Sequence, residues 1–220
     1  MPTKEQGSEP LLKNKPQIEQ PNLIELQVNS VEELISLLND HNIDYSKWRK
    51  NPKKLFEEIE KGETEMVQNK NVLERHTNTV LVEVYSPKRD QKLVEQYQVT
   101  YDESDNEIER NIREISGLSE KIKKGQVPID EVCRAMSEEL FGGVDFDQSS
   151  ISVKQIPLDK NVKTPESAYE GLITVNNLNR FAAILPENLY KPEGYVEVQE
   201  IKGGGRKRNF MVWVSLSAVK

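Results

Sequence analysis

Glu131, Glu138 and Glu139 stand seven and eight residues apart in the segment Pro128-Ile-Asp-Glu-Val-Cys-Arg-Ala-Met-Ser-Glu-Glu-Leu140. Helical spacing brings positions 131, 135, 138 and 139 onto one side of a helix, at i, i+4, i+7 and i+8. Carboxylates grouped this way suit a hydrated Mg²⁺, which takes oxygen ligands and keeps several waters. The middle of the group is Ala135, which offers no ligand atom. The plain alternative is that Glu138 and Glu139 are solvated surface charges, with Arg134 paired to Glu138 one turn on for a few tenths of a kcal/mol.

Other chemistry-bearing residues point less clearly. Cys133 lies beside Val132, Met136 and Leu140, so packing in a core is expected of it. His41 and His76 have neither metal-ligand spacing nor a nucleophile beside them. The run Gly203-Gly-Gly-Arg-Lys-Arg208 lacks the Lys-Ser/Thr ending of a phosphate-binding loop and reads as a hairpin turn. Tyr195, Phe210 and Trp213 alternate with smaller residues, which fits a packed sheet or an aromatic wall for a flat ligand. Asp145 and Asp147 follow the Gly142-Gly143 stop, either as an extra metal ligand or as a solvated loop.

The elements that must position these residues follow from periodicity. Residues 1–22 hold four prolines amid Lys, Glu and Gln and read as a flexible tail. Ser30 with Glu33 forms a capping box ahead of Val31, Leu34, Ile35 and Leu38. Asn51 and Pro52 open a second helix with Leu55, Phe56 and Ile59 on one side, stopped at Gly62. These helices form a preface over 23–71, expected to pack on the main domain through Trp48 and Phe56. Strands are expected at 80–85, 93–101, 151–156, 178–185, 195–201 and 210–216. Residues 101–111 read as a loop or wide hairpin tip, and 115–125 as a linker. A helix starts at Pro128 and ends near Gly142.

The stretch 118–140 resembles the Nudix box, in which a Gly, five residues, a Glu and seven residues precede Arg-Glu-apolar-x-Glu-Glu-x-Gly-apolar. Arg134, Met136, Glu138 and Glu139 match, and Gly125 with Pro128 matches the Gly-x-x-Pro that precedes the family's helix. Glu120, Gln126, Ala135, Phe141 and Gly142 depart from it. Ile43, Asp44, Ser46 and Trp48 are similar to an element of a Nudix-like subgroup with a helical preface. The resemblance implies an α/β (α+β) fold over 72–220, a Nudix-like mixed β-sheet covered by helices, with a short N-terminal helical extension. It implies Glu138 and Glu139 as catalytic metal ligands, Glu131 as a reserve ligand, and Mg²⁺ held weakly. Gly125 and Arg134 are then structural, Arg134 orienting the helix by pairing with a nearby acid. The implied ligand is a nucleoside-diphosphate-type small molecule, with hydrolysis weakened or lost through Ala135 and Gln126. The alternative is a ligand-binding or protein-interaction module that keeps only the fold.

Composition bounds these readings. Among 220 residues, 35% are apolar and 30% charged, so part of the chain is expected to be solvated. A formal net charge of −7 argues against a general nucleic-acid partner, since phosphate neutralisation needs clustered cations. A small phosphorylated ligand bridged by a metal stays compatible with it. A protein partner could use the N-terminal helices. One cysteine allows no intrachain disulfide, and no stretch approaches the roughly 18 apolar residues of a membrane span. A cytoplasmic protein is the expectation.

Overall fold

The computed structural model describes residues 23–144, 146–158, 168–201 and 204–218. The expected tail, Asp145 and Gly203 of the glycine turn lie outside these. The described residues form a mixed α+β fold: a ten-stranded, mainly antiparallel sheet with three α-helices.

In chain order the strands are β1 (Leu23–Leu26), β2 (Glu65–Asn69), β3 (Val72–Tyr85), β4 (Gln91–Tyr101), β5 (Glu107–Ser116), β6 (Leu118–Ile122), β7 (Ser152–Gln155), β8 (Ile173–Ile184), β9 (Tyr195–Glu200) and β10 (Arg206–Ser215). The helices are α1 (Val31–Asp40), α2 (Pro52–Glu60) and α3 (Pro128–Phe141). Strand β3 is the spine. It pairs with β2 at its start, with β6 and the parallel β8 along its middle, and with β4 at Tyr85. Strand β4 in turn carries β5 on one side and β10, then β9, on the other.

Local chemistry explains the helices. Ser30 accepts the Glu33 amide, while the Glu33 carboxylate reaches back to Asn29 N, one residue earlier than the expected box. Asn51 caps α2 above Pro52. Gly125, with φ +80, makes the left-handed turn that lets β6 lead into Pro128. At the other end Gly142 is left-handed and the Gly143 amide returns to Ser137 O, closing the helix.

Two apolar clusters hold the layers. Val132, Met136 and Leu140 of α3 pack on Val80, Val82 and Val84 of β3, with Leu93, Leu118, Phe181, Tyr195 and Met211. Leu34, Leu38, Trp48 and Leu55 pack on Met66, Leu73, Tyr169 and Leu172. Trp48 fits its expected role, crossing Tyr169 edge-on at 4.9 Å and donating Nε1–H to Glu170 O. Phe56 packs only at the margin of this cluster.

Two segments differ from the sequence reading. Part of the expected loop, and the start of the expected linker, form β5, and the linker continues as β6. Strand β5 is exposed along nearly its whole length, so it has no buried side to impose an alternating pattern. The corner between them is Gly117, with φ +94; a Cβ there would sit 2.7 Å from Val82 O, so glycine alone fits. The preface also donates β1 and β2 to the same sheet as the rest of the chain. No helix among the described residues is long and apolar enough to cross a membrane.

Candidate functional site

The acids of α3 divide around the helix. Glu131 is buried, its side chain 3% exposed, and its carboxylate takes the Arg134 guanidinium at 2.7 Å from Nε and 2.6 Å from Nη2. Glu138, half exposed, takes the same guanidinium from the other end at 3.1 Å. Arg134 also lies 3.4 Å from Glu120 and donates to Lys121 O of β6. Burial alone would lower the Arg134 pKa; the Glu131 and Glu138 carboxylates outweigh it and raise it well above the usual guanidinium value. Arg134 thus locks α3 to β6, and the carboxylates of Glu131 and Glu138 are held by it. The three acids named from the sequence are not brought together.

Glu139 points elsewhere. It makes no hydrogen bond or ion pair with any described residue. It lines a small hollow with Val84, Leu93, Glu95, Gly117, Leu118 and Met211, beneath α3 and above the β3–β4 corner. The hollow has about 10 Å³ of free volume, close to what one water-sized sphere occupies. Burial pushes the Glu139 carboxyl up to about 8, helped by the negative charges of Glu197, Glu120, Glu95 and Glu138.

Glu95 of β4 is the second carboxylate of this hollow. Sequence reasoning missed it, because a Glu in a polar strand carries no signal until the register is known. A bulge between Glu95 and Tyr97 places Glu95 opposite Met211 and on the α3 side of the sheet. Burial raises its pKa and Glu197 adds to this, while Arg113, 3.3 Å away, works against it. Its buried Oε1 makes no well-aligned hydrogen bond despite that neighbour. On the same side, Gln98 donates to Asn209 (2.7 Å) and Asn209 donates to Glu197 (2.5 Å), which fixes Glu197 at the margin of the hollow.

Two carboxyls whose pKa values burial raises, Glu139 and Glu95, line this water-sized hollow. A divalent ion would displace the Glu139 proton and relieve the repulsion between Glu139 and Glu95. Among the described residues, no three His, Cys, Asp or Glu side chains already stand in a ligating arrangement. A cation here would have two protein carboxylates as ligands, and the hollow itself leaves room for about one water-sized group beside them. Ala135, one turn before Glu139, is wholly buried, so the missing ligand position faces protein and not solvent.

The remaining sequence candidates fall outside the hollow. The Cys133 thiol is raised by burial and by Asp130, the reverse of what a nucleophile needs. His76 bonds Glu74 at 2.7 Å. Asp147 caps a turn through Ser149. The three aromatics do not make one wall: Tyr195 and Trp213 lie on the α3 side, 6.3 Å apart, and Phe210 stacks on Tyr97 on the opposite side. Comparison of the chain with protein-family models and with curated proteins finds no match.

Proposed function

We propose that this is a Nudix-like protein that binds a nucleoside-diphosphate-type small molecule through one Mg²⁺ ion at the Glu139–Glu95 hollow, with hydrolysis weak or lost. The observation that supports the reading is Glu139 itself. It is the one α3 acid that lines a cavity and has no partner among the described residues. In a phosphoanhydride hydrolase the metal polarises a phosphoryl oxygen and acidifies water, and strong catalysis often uses two ions about 4 Å apart. Here Glu131 and Glu138 are engaged by Arg134, and position 135 offers a methyl group. One weakly held ion can bridge a diphosphate without assembling that second site. Mg²⁺ is held by Glu139 and Glu95 in this account; neither Glu138 nor Glu131 ligates it.

The test uses ADP as probe. With Mg²⁺ present, ADP should raise the melting temperature, and Glu139→Gln should abolish the rise. Phosphorus NMR of the same mixture should show little or no turnover. Fast Mg²⁺-dependent release of phosphate would overturn the weak-hydrolysis half of the reading. No stabilisation by ADP or by any nucleoside diphosphate sugar would favour the alternative, a protein-interaction module that keeps only the fold.

A further inference from the structure

The outer half of the sheet turns its apolar side away from α3. Beyond the bulge, the register sets four strands side by side in the order β5, β4, β10, β9. On the α3 side the rows read Asn111, Gln98, Asn209, Glu197 and then Glu109, Thr100, Lys207, Gln199. On the opposite side they read Ile112, Tyr97, Phe210, Val196 and then Arg110, Val99, Arg208, Val198. A solvent-facing antiparallel sheet normally shows the reverse pattern. Ile112 is 78% exposed, Ile108 62%, Val198 52% and Val196 50%. Tyr97 and Phe210 stack at 4.6 Å between them, with the Arg110 guanidinium over Tyr97 and that of Arg208 over Tyr101.

We infer that this outward face is the interface of a homodimer, in which two copies stack it sheet against sheet about a twofold axis. The size fits. The four exposed aliphatic side chains present on the order of 400 Å², already the scale of the largest patch on a typical monomer. With the tyrosines, Phe210 and the arginine stems the face approaches the roughly 800 Å² that each partner contributes to a standard interface. The charge fits a second copy better than an acidic or a basic partner. Arg110 is matched by Glu107 at 2.8 Å and Arg206 by Asp105 at 3.1 Å. Arg208 shares Asp105, and Glu200 stands opposite Arg206 in the sheet. The patch is therefore near neutral in a chain of formal charge −7, where copies would otherwise repel. An isologous contact needs such a mixed, self-complementary surface.

Sedimentation equilibrium of the full chain over a wide concentration range tests this. The expected result is a dimer, the mass of two 25.3 kDa chains. Ile112→Glu with Val198→Glu should raise the dissociation constant at least ~100-fold and leave the far-UV circular dichroism unchanged, because both positions are exposed. Ile24→Glu, equally exposed on β1 at the far edge, should leave the dimer intact. Three results would overturn the inference: a single-chain mass at every concentration, a dimer indifferent to the double substitution, or dissociation by Ile24→Glu as well. Each outcome is independent of the cation site, which lies on the other side of the sheet.

Discussion

Among the described residues, no cation pairs with Glu139. Burial pushes its carboxyl up to about 8 in the folded chain, from an ordinary 4.5. A carboxyl raised on folding contributes stability that is complete below about pH 4.5 and is lost as pH climbs toward 8. Glu139→Gln removes that loss. The variant should be more stable than the parent at pH 8 by roughly 1–3 kcal/mol, with the gap closing toward pH 5; denaturant melts at both pH values measure it. Ala135→Glu is the complementary substitution. It restores the carboxylate of the Nudix-like pattern but sets it between Glu131 and Glu139 in a fully buried position. Without metal it should lower stability by about 2–4 kcal/mol. Millimolar Mg²⁺ should recover part of that loss, as read by thermal shift, if the new side chain reaches the hollow.

At the scale of elements, one buried carboxylate joins the helical preface to the sheet. Glu58 of α2 takes Arg75 of β3 at 2.8 Å, Lys121 of β6 at 2.9 Å, Lys50 at 2.8 Å and the Tyr169 hydroxyl at 3.0 Å. Burial pushes the Glu58 carboxyl up; the bonds from Lys50, Lys121 and Arg75 outweigh it and hold the group well below the usual carboxylate range. A lowered pKa means stability present above about pH 4.5 and lost as the group protonates at lower pH. Glu58→Gln leaves Arg75 buried without its counter-charge and should cost about 3–5 kcal/mol in chemical denaturation at pH 7. The sequence foretold α1, α2 and α3 because each carries its own punctuation: Ser30 with Glu33, Asn51 with Pro52, and Gly125 with Pro128 ahead of Gly142. It did not foretell Glu58, whose partners include Arg75, 17 residues away, and Tyr169, 111 residues away. Nor did it show β5, whose two sides are both exposed in the single chain, or Glu95, which depends on where a bulge falls.

Across the whole molecule, the sheet presents two different sides. Toward α3 it presents the Glu139–Glu95 hollow, walled by Leu93, Leu118 and Met211. Away from α3 it presents the aliphatic and aromatic face of β5, β4, β10 and β9. Calorimetric titration with Mg²⁺ at pH 6.5 and pH 8.5 tests the central claim, that the hollow is a cation site, most directly. A single ion should bind, more tightly at pH 8.5, with proton uptake by buffer at pH 6.5 approaching one per ion, and Glu139→Gln should not bind it. Binding that ignores pH, or that survives Glu139→Gln unchanged, would contradict it.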